Sequence, residues 1–334
     1  AYKPGGGAWS DAVTIIPWQL YQTYGDISFV SEMYEAMEKW IAYIPTVSTT
    51  ENLWTGCWTY GDWLALDAPE DYHPATIELS KRGYSNDDLI CSAFYANSVD
   101  LVIRAGRLLN RDVSYYEALY ARIVSAYKAR FSGQLNTQTE KVLTLHFNLT
   151  DDPQGLADAL AEQIRDCGMK LQTGLVGTPY LLHELSRYGY PEIAWSLLLR
   201  REYPGWLYSV SKGATTVWEH WDGIKPDGTF WDDDMNSYNH YAYGSVADWV
   251  FGAAAGIQPA EPGYARARIA PQPDPRLKSL CAVLDTVHGR IRSFWKYTEH
   301  GIRYEIDTPV QTEIVLDGKA RTVEKGRYLF GTAD

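Results

Sequence analysis

The residues best equipped for chemistry lie between Gly213 and Tyr241, in GATTVWEHWDGIKPDGTFWDDDMNSYNHY. Glu219 stands between Trp218 and His220, with Trp221 next, and Asn236, Asn239 and His240 follow a loop rich in Gly, Pro and Asp. Flat apolar rings, amides and imidazoles that bond hydroxyls, and a carboxylate able to take a proton are the parts of a sugar site. The plainer reading is a Trp-rich helix start whose acidic residues face solvent. A second cluster, Trp58, Tyr60, Asp62 and Trp63 in WTYGDWL, sits in an irregular stretch over 46–86. Loops of that length inside a domain are more often functional than idle, although Asp62 alone also fits a turn or cap. Trp9 and Asp11 close the glycine-rich entry AYKPGGGAWSD; the glycines suit close ligand approach. Asp232, Asp233 and Asp234 point in three directions without metal-ligand spacing and read as a solvated loop.

Helices must position these groups. Val13, Ile16, Leu20 and Tyr24 define one after an Asp11 N-cap, and Phe29, Met33, Met37, Trp40 and Ile44 a second, ended by Pro45. Ile90 to Leu108, Tyr116 to Ala126 and Leu156 to Ile164 mark three more, and Thr178-Pro179 and Pro191 open two others. The segment PGWLYSVSKGATT reads as a loop, and Val246, Trp249, Val250 and Ala253 as a last helix. Trp40 and Trp249 fall on core stripes, and Trp206 and Trp218 read as structural or outer-wall rings. Past Gly256 prolines crowd, and then polar and apolar residues alternate around turns at His288-Gly289, His300-Gly301 and Asp317-Gly318. The expected organisation is a helical domain over 1–256 and a small antiparallel sheet domain over 257–334. Helices joined alternately by short turns and long aromatic loops suggest hairpins arranged in a ring, with the long loops gathered at one end.

Composition narrows the partners. The 334 residues carry 13 Trp and 25 Tyr against 8 Phe, so rings with a polar edge dominate, as on a ligand-stacking surface. A net charge of −12 without any Lys/Arg cluster argues against nucleic acid. No apolar run spans a bilayer and no signal peptide is visible. Cys57, Cys91, Cys167 and Cys281 form no CxxC pair, which argues against zinc and suits free thiols in a reducing, cytoplasmic setting. Asn148-Leu149-Thr150 fits a glycosylation sequon, and the start at Ala1 within a functional loop suggests a piece of a longer chain.

GGGAWSDA, PWQLYQTYGD, YGDWL, GLVGTPYLL, PGWLYSVSKGATTVWEHWD, MNSYNHYAYGSVADW and IAPQP occur in this order through nearly the whole chain. In this series the chain resembles the bacterial α-L-rhamnosidases of glycoside hydrolase family 78. The resemblance implies a mainly α fold, an (α/α)6 barrel whose first helices are missing here, followed by a C-terminal antiparallel β-sandwich. It implies inverting hydrolysis of terminal α-L-rhamnosides with no metal or cofactor. Glu219 matches the general base, His240 a histidine that bonds sugar hydroxyls, and Trp9 and Trp63 the walls of the rhamnose; Asp62 and Trp221 fall nearby. The family's general acid lies upstream, in a D-x-x-x-x-E-x-x-x-W-x-G-D loop that 1–7 does not contain. Inversion needs a second carboxylate about 6.5–9.5 Å from the base. Asp11 and Asp62 are the substitutes within the chain, and an upstream segment is the expected source.

Two other functions compete. Another inverting glycosidase of the same ring would need a polar partner for a 6-hydroxyl where tryptophan stands, and a uronate-directed enzyme would need an Arg or Lys against the carboxylate, for which Lys212 and Lys225 are the cations near Glu219 in sequence. A rhamnose-binding module without turnover would be indifferent to the loss of Glu219.

Overall fold

The computed structural model describes residues 5–69, 81–232 and 236–331, so part of the 46–86 stretch, together with Asp233 and Asp234, lies outside the described residues. The chain packs into two compact units: Ala1–Ile15 with Tyr34–Val246, and Ile16–Met33 with Ala247–Asp334.

The first unit is built from helical hairpins. Helices α1 (Ala12–Tyr24) and α2 (Ser28–Val47) begin the chain; residues 16–24 of α1 and 28–33 of α2 fall in the second unit and the remainder in the first, and α2 runs past Pro45 to Val47. Then α3 (Asp87–Leu108) packs on α4 (Ser114–Phe131), α5 (Gln138–His146) on α6 (Pro153–Asp166), and α7 (Thr178–Arg187) on α8 (Pro191–Leu198). Within the set, α5 also packs on α3 and α7. The inner helices are therefore buried on most faces, whereas α4 and α6 bury one stripe each: Leu119, Ile123, Tyr127 and Phe131 in α4, and Ala157, Leu160, Ala161 and Ile164 in α6.

Local signals start these helices where expected. Asn86 accepts from the Leu89 amide to cap α3, Asp152 caps α6 ahead of Pro153, and Pro179 and Pro191 occupy first turns of α7 and α8. Sequence periodicity missed α5. Gln138 through Leu145 are all buried, so Thr139, Glu140, Lys141 and Thr144 break any apolar stripe. A capping box starts it instead: Thr137 Oγ1 accepts from the Glu140 amide at 3.1 Å, and the Glu140 carboxylate accepts from the Thr137 amide at 2.9 Å. Glu140 also takes the Asn86 amide at 2.8 Å, tying α5 to the start of α3. Replacing Thr137 with Ala, which also loses its 2.7 Å contact with Ser85, should lower unfolding free energy by about 1–2 kcal/mol in urea titration.

Two further segments differ from their reading. Trp206–Ser211 is a short helix, α9, not a loop. The expected last helix is a succession: 3₁₀ over Ala242–Ser245, one α-turn over Val246–Trp249 and a π-turn over Val250–Ala254. Apolar steps of three and four mark the buried face, which these windings share, but not the winding itself.

In the second unit, β1 (Ile257–Pro259), β2 (Ala267–Ile269), β6 (Thr312–Leu316) and β7 (Lys319–Val323) form one sheet in the order β1-β2-β6-β7. The other sheet, ordered β3-β4-β5-β8, holds Ser279–Thr286, Gly289–Thr298, Gly301–Thr308 and Gly326–Phe330. All pairings are antiparallel except β2 with β6, which is parallel and joins strands distant in sequence. The alternation expected of strands buries Ile291, Trp295, Tyr304 and Ile306 from one sheet, and Ile269, Ile314 and Leu316 from the other.

Candidate active site

The entry loop turns tightly: the Ser10 amide bonds Gly6 O at 3.0 Å, and the Ala8 amide bonds Asp11 Oδ2 at 2.9 Å. Asp11 is fully buried and its Oδ1 accepts from Trp40 Nε1 at 2.9 Å and Ser98 Oγ at 2.7 Å. Burial pushes its carboxyl pKa up, and the Ser98 and Trp40 hydrogen bonds oppose that rise. Asp11 thus staples the loop to α2 and α3 and has no open path to a bound sugar. Trp9 projects from the loop, 37% exposed, with its ring 5.0 Å from that of Tyr60.

Tyr60 is the hub of the second cluster, 4.4 Å from Trp58 and 5.8 Å from Trp63, each edge-on. Asp62, between Tyr60 and Trp63, lies inside the protein with no exposed surface. Its Oδ2 accepts from Thr139 Oγ1 at 2.5 Å and the Gly174 amide at 2.7 Å; its Oδ1 accepts from the amides of Val176 and Gly177 at 2.8 and 3.2 Å. Burial raises its pKa to about 6 against the pull of these donors. The backbone continues the clasp: Leu175 N bonds Trp63 O and Leu66 N bonds Gln172 O, both at 2.8 Å. Gly174 permits this approach, since a Cβ there would stand 2.3 Å from Trp63 O. Expected as a sugar contact, Asp62 has every acceptor direction occupied by protein and reaches a ligand only through the segments it holds.

Between Gly213 and Tyr241 the chain doubles back on itself. Glu219 N bonds Ser237 O and His240 N bonds Val217 O, both at 2.8 Å, so 217–219 lies antiparallel to 237–240. This pairing brings His240 Nε2 to 3.9 Å from Glu219 Oε1, while Glu219 Oε2 accepts from the Ser237 amide at 3.3 Å. The Glu219 side chain keeps 15% of its surface and His240 26%, enough for a small ligand to touch both. The neighbours of Glu219 turn inward. His220 stacks on Trp231 at 3.7 Å and bonds Asp222 at 2.5 Å; Trp221 is buried, face to face with Tyr243 at 4.0 Å and edge-on to Trp206 at 5.0 Å. Trp206, Trp218 and Trp221 line a cavity of about 280 Å³.

A second cavity, of about 340 Å³, is walled by Trp9, Val176, Tyr180, Tyr241 and Ala242. It links the parts. Trp9 forms one side, the loop clasped by Asp62 supplies Val176, and Tyr241, 88% exposed, stacks its ring on His240 at 5.3 Å. The structure therefore brings Glu219 and His240 together and joins Trp9 to them through Tyr241. Trp63 stands half-buried behind Tyr60. Tyr180 and Tyr241 were not anticipated as site residues, and Tyr60 stood in the second cluster without a role of its own. Tyr241 adjoins the anticipated His240 in NHY, whereas Tyr180 sits on a helical stripe indistinguishable from core.

Comparison with known proteins agrees with this architecture. The paired helices over 2–254 match the bacterial α-L-rhamnosidase six-hairpin glycosidase domain, and 256–328 match the bacterial α-L-rhamnosidase C-terminal domain. The helical unit is thus that of a six-hairpin glycosidase, followed by a β domain. The chain belongs to the bacterial α-L-rhamnosidase family. An α-L-rhamnosidase of Streptomyces avermitilis is 35% identical over 98% of this chain and 31% of the relative, and one of Formosa agariphila 32% identical over 92% and 33%. The chain spans about a third of the length of these relatives. Among solved structures, the Streptomyces avermitilis α-L-rhamnosidase complexed with L-rhamnose superposes with a TM-score of 0.87 at 32% identity, covering 96% of this chain and 32% of that one. The Aspergillus terreus enzyme gives a TM-score of 0.89 at 29% identity, covering 99% of this chain and 39% of that one.

Proposed function

We propose that this chain supplies the sugar pocket and the general base of an α-L-rhamnosidase that releases terminal L-rhamnose with inversion. The observation that carries the reading is the antiparallel pairing of 217–219 with 237–240, which holds the Glu219 carboxylate beside His240 at a partly open surface. There Glu219 deprotonates the attacking water as it adds to the anomeric carbon, and His240 bonds a ring hydroxyl. Trp9, with Tyr60 and Trp63 behind it, offers the apolar wall that a 6-deoxy sugar's methyl group fits and a 6-hydroxyl does not. The leaving oxygen takes its proton from a carboxylic acid outside this set, because Asp11 and Asp62 are both sealed in the interior. Asp62 acts as a positioning residue, and the helical and β domains meet at residue 256.

The test is turnover of 4-nitrophenyl α-L-rhamnoside followed by proton NMR at early times. β-L-rhamnose appearing first supports a base and a separate acid; α-L-rhamnose first would rule the assignment out. Binding of L-rhamnose without turnover, in a protein that also carries the segment supplying the acid, would favour a binding module instead. Trp9→Ala should weaken L-rhamnose binding roughly tenfold, read by calorimetry, through loss of about 1–2 kcal/mol of apolar contact.

A further inference from the structure

The loop over 54–61, which carries Trp58 and Tyr60, runs along the first turns of α3. The Trp54 amide donates to Ser92 Oγ at 3.1 Å and the Gly56 amide to Asp88 Oδ1 at 2.9 Å. Between these ties Cys57 meets Cys91, and their side chains are hydrogen-bonded. Cys91 is buried and Cys57 half-buried. On its other side Cys91 abuts the entry loop: a Cβ on Gly7 would stand 2.6 Å from Cys91 Sγ, so only glycine fits there. The Cys91 sulfur therefore sits where three segments meet, namely α3, the aromatic loop and the loop bearing Trp9. The other thiols have no such partner. Cys167 donates locally to Ile164 O and Lys170 O, and Cys281 is exposed on β3.

We propose that Cys57 and Cys91 form an oxidisable pair, a modification site that a small disulfide of the glutathione class closes into a Cys57–Cys91 disulfide. Spacing in the sequence gives no hint of it, because the two cysteines stand 34 positions apart. Cys57, the more accessible sulfur, attacks as thiolate; the glutathione S–S bond breaks and one glutathione thiolate leaves. Cys91 then gives up its proton to solvent and attacks the Cys57 sulfur of the mixed disulfide, expelling the second glutathione. Two protein thiols are oxidised and one glutathione disulfide is reduced to two thiols. The hydrogen bond with Cys57, together with burial, pushes the Cys91 thiol well up, which keeps it from attacking first. Closure ties the loop of Trp58 and Tyr60 to α3 by a covalent bond directly beneath Gly7, two residues from Trp9. The inference rests on the thiol geometry and not on the sugar reading.

The test treats the folded chain with oxidised glutathione, blocks remaining thiols with iodoacetamide, and maps peptides by mass spectrometry without reduction. The expected result is a peptide containing Cys57 joined to one containing Cys91, a loss of two hydrogens that dithiothreitol restores. Cys91→Ser should arrest the reaction as a glutathione adduct on Cys57, and Cys57→Ser should leave Cys91 unmodified until the chain unfolds. Glutathione retained on Cys57 in the unsubstituted chain, or Cys57 joined to Cys167 or Cys281, overturns the proposal. The unsubstituted chain decides the matter alone if either variant fails to fold.

Discussion

Glu219→Gln should lower kcat on 4-nitrophenyl α-L-rhamnoside by on the order of 10²–10⁴ while changing L-rhamnose affinity far less. The amide keeps the size and hydrogen-bonding reach of the carboxylate, so the 3.3 Å bond from the Ser237 amide and the approach of His240 at 3.9 Å can both persist. What it lacks is the ability to take a proton from water in the transition state. An interaction made only there lowers kcat and kcat/KM together and spares ground-state binding. Stability should barely change, because the backbone pairing that shapes the site, Glu219 N to Ser237 O and His240 N to Val217 O, involves no side chain. Stopped or steady-state assays paired with calorimetry on L-rhamnose separate the outcomes. Affinity collapsing with turnover per bound sugar intact would make Glu219 a binding residue and end its assignment as base.

His240→Ala should show the opposite split, raising KM more than it lowers kcat, if its imidazole only holds a hydroxyl.

How far this site could be read in advance depended on the kind of signal each residue leaves. Glu219, His240 and Trp9 sit in segments of unusual composition, aromatic and polar together, and composition survives without a structure. Two helix starts were legible for the same reason, since Pro179 and Pro191 act through local geometry alone. What stayed hidden is what depends on long-range packing. Residues Gln138 to Leu145 of α5 leave no exposed face, polar or apolar, and Glu140 satisfies the Asn86 amide, 54 positions away in sequence. The Cys57–Cys91 contact exists only because the aromatic loop lies along α3. Asp62 shows the limit most clearly. A carboxylate between two aromatic residues in a loop suggests a ligand contact, and nothing local reveals that Thr139 and the 174–177 turn supply all its donors.

Those donors make Asp62→Ala the most destabilising single change we expect in the helical unit, about 3–5 kcal/mol at low pH by urea unfolding. Alanine leaves the amides of Gly174, Val176 and Gly177 and the Thr139 hydroxyl buried without an acceptor. The cost should depend on pH in a definite direction. Burial raises the folded-state pKa of Asp62 from 3.8 to about 6, so folding favours the protonated form. The associated stability is fully present below about 3.8, declines as pH rises, and is lost once pH passes about 6, a swing of roughly 3 kcal/mol. Thr139 is the one partner whose hydroxyl can turn to accept that proton, whereas the three amides can only donate. The unsubstituted chain should therefore lose stability from pH 4.5 to pH 7 relative to Asp62→Ala, and the penalty of the substitution should shrink over that window. A penalty that grew instead would mean that the four donors outweigh burial and hold the carboxylate ionised. Asp62→Asn separates the two contributions: it carries no charge, yet its NH₂ group must face at least one backbone amide donor whichever way it is turned, Gly174 on one side or Val176 and Gly177 on the other. It should thus remain destabilising at every pH and displace Trp63 and Val176, weakening sugar binding although residue 62 itself touches no ligand.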